Sequence, residues 1–143
     1  MTSFTKSKIL VLVQFLLIGV IGWYSGFYGG VTTNILMTLG ILLGIWAVVA
    51  MRFSVNIFPD VRDNQHLVIR GPYKWIRHPM YTSVLLVTLA WVINRPDTVS
   101  ALLWILLFTD LLIKTNYEEN LLVKRFPKYS EYKTTVHALV PFI

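Results

Sequence analysis

The sequence predicts an all-α integral membrane protein: one domain, residues 1–143, with four transmembrane helices. Three observations predict it. Of the 143 residues, 55% are hydrophobic and only 14% are charged, where a soluble domain carries about 25% charged. The apolar excess lies in long charge-free runs, which points to lipid rather than to a soluble core. And twelve of the thirteen Lys and Arg residues fall on one side once four helices are threaded back and forth, with Arg95 alone on the other, which satisfies the positive-inside rule with both termini cytosolic.

The first helix is expected over 9–28. Its basic start resembles a signal peptide, but the apolar run exceeds the usual core of about 7–15 residues and no small-x-small cleavage pattern follows, so a retained helix is the reading. Trp23, Tyr24, Phe27 and Tyr28 cluster at its far end, where rings meet headgroups. Gly29 and Gly30 make the turn. The second helix, 31–51, has 21 residues and no charge, and about 20 suffice to cross a bilayer. Its Gly40 and Gly44 form a small-xxx-small pair suited to close helix approach, though glycine is also simply frequent in membrane helices.

The polar stretch from Phe53 to His78 is broken by Pro59 and by Gly71–Pro72, and "HLVI" within it reads as a short extended segment. The third helix, 79–94, is opened by Pro79, whose fixed φ and missing N–H suit the first helical position, with His78 at the cap. "NRPD" is a tight turn. The fourth helix, 99–126, meets no breaker before Pro127 and is expected to rise out of the membrane into the cytosol, with Lys114 near the boundary.

Composition excludes several classes. There is no cysteine, hence no disulfide, thiolate metal site or cysteine nucleophile. His66, His78 and His137 have no metal-ligand spacing, so no metal is expected. The net charge of +6 sits at the mouths of apolar segments, as a bilayer sorts it, which argues against nucleic acid.

The chemistry-bearing residues concentrate at the mouth of the third and fourth helices. "RGPYKWIRHPMY", Arg70–Tyr81, combines a helix N-terminus, which favours anions, with the flat faces of Tyr73, Trp75 and Tyr81. The bland counterpart is an interfacial aromatic belt with Lys74 and Arg77 snorkelling. Asp110, Lys114 and Glu118, at i, i+4 and i+8, share one helical face. An ionisable residue inside an apolar span normally faces a cavity or a partner, and a salt-bridged stripe is the structural counterpart. Glu118 and Glu119 point about 100° apart on a helix. Glu118 shares the Lys114 face and is assigned to a pocket; Glu119 is assigned to orienting a neighbour.

"GPYKWIRHPMY", then about forty residues later "KTNYEENLLVKRFPKYSEYKTTVHALVPFI", resembles the isoprenylcysteine carboxyl methyltransferase family and the related small membrane phospholipid methyltransferases. The resemblance covers roughly Gln65 to Ile143. It implies S-adenosylmethionine as cofactor, bound at the cytosolic side between the 52–80 loop and the extended last helix. Its contacts would come from Gln65, His66, Leu67, Val68, Tyr73, His78, Pro79, Met80, Tyr81, Glu118 and Glu119. It implies Lys114 and Glu118 as the reaction-site pair, with Lys114 orienting a lipophilic or lipid acceptor. Two positions depart from the family pattern. Lys114 stands where the family has arginine, and a lysine has no two-pronged grip on a carboxylate. Ser83 stands where a glycine is frequent. N-methylation of a lipid amine, and a non-catalytic membrane subunit or carrier, are the alternative functions.

Overall fold

The computed structural model describes residues 3–27, 29–52 and 67–140, and these are all-helical in regular structure apart from a single parallel bridge between Ile76 and His137. The order is α1 (Ser3–Ser25), α2 (Val31–Ala50), a 3-10 turn (Gly71–Lys74), α3 (Pro79–Asn94), α4 (Thr98–Arg125) and the short α5 (Tyr129–Thr135). Three helices are long and apolar enough to cross a bilayer: Thr5–Ser25, Val31–Ala50 and Thr98–Arg125. At about 1.5 Å per residue, the 16 residues of α3 reach about 24 Å, short of the roughly 30 Å of hydrocarbon. In lipid every backbone polar group must be satisfied within the chain, which is why these runs are helices.

α1 begins six residues before the expected Ile9 and stops three before the expected end. The polar first turns are helical too, with Ser7 buried in the bundle. The end is set by Gly26, whose φ of +81° continues no right-handed helix. Phe27 then meets Trp91 edge-on at 5.2 Å, and Tyr24 donates to Asp97 at 3.1 Å. Part of that aromatic cluster therefore fastens helices together rather than only marking an interface. The extended reading of "HLVI" falls partly on residues outside the description; Leu67–Ile69 carry no regular structure.

α1 and α4 pack antiparallel. Ser7, Gln14 and Ile21 are buried at seven-residue spacing on α1, and Ser100, Leu107 and Lys114 on α4, the seam of a coiled-coil-like pair. Ser25 and Ser100 hydroxyls meet at one end (3.2 Å), and Gln14 meets Lys114 towards the other. Asp97 caps α4, its carboxylate accepting from the Ser100 N–H at 2.8 Å. That bond, with those from Tyr24 and Arg95, holds the Asp97 carboxyl below its ordinary 3.8. A depressed acid stabilises the fold above its unfolded-state pKa and loses that contribution as pH falls through its folded pKa. Thermal midpoints in detergent should therefore differ between wild type and Asp97→Ala at pH 7 and converge below pH 3.8; a gap unchanged at low pH would refute the cap's ionic character.

α2 packs mainly on α3, through the glycines. A Cβ at Gly40 would lie 2.8 Å from Val87 Cγ2 and 3.1 Å from the Ser83 carbonyl oxygen; one at Gly44 would lie 2.6 Å from Ser83 Oγ. Ser83 Oγ donates to the Gly40 carbonyl at 2.7 Å. The small-xxx-small reading thus describes a real close approach, and Ser83, small enough for the contact, adds an interhelical bond.

Candidate functional site

The Arg70–Tyr81 stretch turns the chain from α2 into α3. Gly71 takes φ +61°, and a Cβ there would sit 3.0 Å from Ala50 Cβ, so both conformation and space require glycine. Arg70 Nε donates to the Ala50 carbonyl at the end of α2 (3.0 Å). Pro79 occupies the first position of α3 behind the cap residue His78, as expected. The anion-binding capacity of that helix start is small, however. Pro79 has no N–H, and the Tyr81 and Thr82 amides already bond the His78 carbonyl at 3.0 and 3.1 Å.

The C-terminal segment straps across this stretch. The Arg77 and His78 amides donate to the carbonyls of His137 (2.8 Å) and Ala138 (3.0 Å). Thr82 Oγ1 donates to Leu139 O (2.5 Å), and the Tyr132 hydroxyl donates to the Tyr73 carbonyl.

The two glutamates diverge as their spacing requires. Glu119 is buried and serves as a hub. It accepts from Arg77 Nε at 2.7 Å, lies 3.2 Å from His78 Nε2 and pairs with Lys133 Nζ at 2.8 Å. Because a carboxylate only accepts, the His78 contact requires a proton on Nε2. Arg77 also donates to the carbonyls of Lys133 (3.0 Å) and Val136. It does not snorkel: its side chain is buried.

Glu118 instead faces a cavity of about 260 Å³, near the low end of small-molecule sites. It accepts from the Tyr81 hydroxyl at 3.0 Å, and His78 Nδ1 stands 3.7 Å away. Tyr81 stacks on His78 with ring centroids 5.4 Å apart. Of the residues named from sequence, Leu67, Val68, Tyr73, His78, Met80, Tyr81, Lys114 and Glu118 line this cavity. Pro79 and Glu119 lie behind its wall, and Gln65 and His66 fall outside the described residues.

The Asp110–Lys114–Glu118 face is not a ladder of salt bridges: among the described ion pairs none joins Lys114 to either carboxylate. Lys114, 1% exposed, donates to Gln14 Oε1 and lies over the Tyr81 ring, 5.1 Å from its centroid. Asp110 Oδ2 is buried with no hydrogen-bond partner.

Nine lining residues escaped sequence reasoning, Met51, Arg77, Val84 and Leu122 among them. Gln14, Phe15 and Ile18 come from α1, whose cavity face is indistinguishable from its lipid face without the α1–α4 register. Tyr129 and Tyr132 also line the cavity; their FxxYxxY spacing was visible, but only α5 folding back gives it a place. Burial pushes the phenols of Tyr73, Tyr129 and Tyr132 up, that of Tyr132 to about 12 even with Arg77 opposing, so all are neutral donors near pH 7. The Tyr129 hydroxyl is buried and has no protein partner.

Three helices long and apolar enough to cross a bilayer, with a cavity lined by a carboxylate, phenols and a lysine, are the features of a membrane protein. The sequence pattern of the phospholipid methyltransferase family matches residues 29–129, and the chain belongs to that family of methyltransferases. It is also similar to the cobalt-zinc-cadmium resistance protein CzcN of Cupriavidus metallidurans, with 31% identity over 134 residues. That match covers 92% of this chain and 61% of the relative, so the chain spans about three fifths of that protein's length. Among the described residues, no group of three His, Asp or Glu side chains is placed to hold a metal ion.

Proposed function

We propose that this protein transfers a methyl group from S-adenosylmethionine to a lipophilic acceptor that enters the cavity sideways from the bilayer. The observation that carries this reading is the cavity's composition. Glu118, Tyr73, Tyr81 and Tyr132 line it together with Phe15 of α1, which is 56% exposed.

The residues fit the cofactor's chemistry. Glu118 suits an amine or ribose hydroxyls. The faces of Tyr73, Tyr81 and Tyr132 suit a cation. Leu67, Val68 and Met80 supply apolar wall. S-adenosylmethionine, when bound, supplies an electrophilic methyl carried on a sulfonium. The protein then has to align that end with an acceptor and exclude water, and alignment alone contributes about 7–11 kcal/mol. Lys114, at the α1 side, orients the acceptor. An acceptor that is already anionic requires no general base. An amine acceptor would require one; Asp110, one turn before Lys114, has a bare carboxylate oxygen but does not line the cavity, whereas Glu118, one turn after it, does. The topology that goes with this reading has four passes and the cavity in the cytosolic leaflet. It is supported by Lys6, Lys8, Arg70, Lys74 and Arg77 lying at the cavity end and Arg95 at the other.

Calorimetry on the detergent-purified protein tests this. S-adenosylhomocysteine should bind in the micromolar range. Glu118→Ala should weaken it roughly tenfold to a hundredfold, the equivalent of losing a hydrogen bond to a charged group at about 1.5–3 kcal/mol. Well-folded wild type that does not bind would refute the reading. Binding without turnover on any lipid extract would assign the chain a non-catalytic role.

A further inference from the structure

We infer that His78 is a proton-dependent positioning residue for Glu118: with a second proton, on Nδ1, it takes that carboxylate as its own partner, and without one it leaves the carboxylate to a cationic ligand in the cavity. This rests on the methyl-transfer reading only in taking S-adenosylhomocysteine, whose amine is cationic, as the ligand; the contact itself follows from the geometry.

His78 is buried and stands between the two glutamates of α4. Its Nε2 is committed: it lies 3.2 Å from Glu119 Oε1 and carries a proton there, because a carboxylate only accepts. Its Nδ1 is 3.7 Å from Glu118 Oε2, beyond hydrogen-bond reach. In a neutral ring that nitrogen is an acceptor facing an acceptor. A proton on Nδ1 makes it a cationic donor, and a charge-assisted bond to a carboxylate closes to about 2.7–2.9 Å. The ring is held on three sides. Its amide donates to the Ala138 carbonyl at 3.0 Å, its carbonyl accepts from the Tyr81 and Thr82 amides, and its face stacks on Tyr81. The Glu118 side chain, 24% exposed, is the one free to close the gap.

The charges around the ring single out Glu118. Glu119 is already matched by Arg77 Nε at 2.7 Å and, from α5, by Lys133 Nζ at 2.8 Å. Glu118 has the Tyr81 hydroxyl at 3.0 Å and, among the described ion pairs, no cation but His78. Lys114, over the far ring of Tyr81, and the phenols of Tyr73 and Tyr129 bear on Glu118 electrostatically. A ligand cation and the second His78 proton therefore compete for one carboxylate, and each weakens the other reciprocally. The sign follows. The ligand favours the neutral ring, so its affinity is highest at the upper end of the span in which histidine changes charge, about pH 5 to 8. Affinity falls as pH drops, by at most about tenfold per pH unit for one linked proton, and the proton leaves as the ligand binds.

The test is calorimetry of S-adenosylhomocysteine on the detergent-purified full chain, in buffers of different ionisation enthalpy. Wild type should bind roughly tenfold more weakly at about pH 5.5 than at about pH 7.5. It should also release up to one proton per ligand, read as a binding enthalpy that changes with the buffer. His78→Gln keeps an N–H toward Glu119 but takes no second proton, so its affinity should stay level over the range and its enthalpy should not depend on the buffer. Level affinity in wild type, or a drop that His78→Gln retains, overturns the switch. Nitrogen NMR of the histidine rings in the apo protein gives an arm without ligand, and decides the matter should His78→Gln misfold. The His78 ring should lose its second proton at lower pH in Glu118→Gln than in wild type. A titration indifferent to Glu118 overturns the switch whether or not the ligand binds. A titration that follows Glu118 in protein that binds no S-adenosylhomocysteine would leave the switch standing and sink methyl transfer; binding at level affinity would do the reverse.

Discussion

Glu119→Ala is expected to cost about 3–5 kcal/mol, the usual penalty for removing one partner of a buried ion pair. It should lower the thermal midpoint in detergent by roughly 10–20 °C for a chain of this size. The reason is what the glutamate leaves behind. Arg77, with its side chain buried, would keep only the carbonyls of Lys133 and Val136. His78 Nε2 would lose its acceptor, and Lys133 its partner on the α4 side. One carboxylate thus holds α4 to the start of α3, to α5 and to the strap that follows. Glu118→Ala removes a neighbouring residue with a different place in the structure. Glu118 contacts Tyr81 and the cavity, so its loss should cost less than about 1.5 kcal/mol, the scale of one ordinary hydrogen bond, and lower the midpoint correspondingly less. Fluorescence-detected unfolding of the two variants side by side decides this. If both midpoints fall equally, the division of labour between the two glutamates is wrong.

That division was legible before any coordinates, because adjacent helical side chains cannot serve one small site equally and the i, i+4 face of Lys114 chose between them. The helices were legible for a similar reason: in lipid, length and charge-free composition leave the backbone little else to form. Their partners were not. Arg77 reads from sequence as one more interfacial cation, and only the fold shows Glu119 waiting 42 positions later. The Lys114 partner, Gln14, is 100 residues away, and nothing in an apolar run distinguishes a glutamine that faces a lysine from one that faces lipid or water. α1 was legible to within three residues at its far end, through aromatic clustering, but its beginning was placed six residues late, because the polar turn containing Lys6 and Ser7 lies outside the apolar run. Local rules fixed elements and caps; pairings at long separation needed the register of α1 on α4.

Gly40→Leu is expected to have the other large effect, by forcing α2 off α3. A methylene in the Cβ position alone already falls 2.8 Å from Val87 Cγ2 and 3.1 Å from both Leu86 Cβ and the Ser83 carbonyl oxygen. The last of these is backbone and cannot rotate away. The helices must separate, and separation breaks the 2.7 Å bond from Ser83 Oγ to the Gly40 carbonyl. Overpacking of this kind costs about 1–3 kcal/mol, and the lost bond adds about 0.5–1.5 kcal/mol. The consequence reaches the cavity, because α3 carries Met80, Tyr81 and Val84 and is capped by His78. Gly40→Leu should therefore weaken ligand binding as well as lower the midpoint, whereas Gly19→Ala, whose added methyl meets nothing within 4 Å, should stabilise slightly through helix propensity, by under about 1 kcal/mol. Gly44 separates steric cause from propensity. Its Cβ would strike Ser83 Oγ at 2.6 Å, so Gly44→Ala should be costly in wild type and close to neutral in a Ser83→Gly background. A double-mutant cycle would read that difference as a coupling of about 0.5–3 kcal/mol. Additive effects would mean that the helices do not meet through these two residues, and the close α2–α3 approach would have to be abandoned.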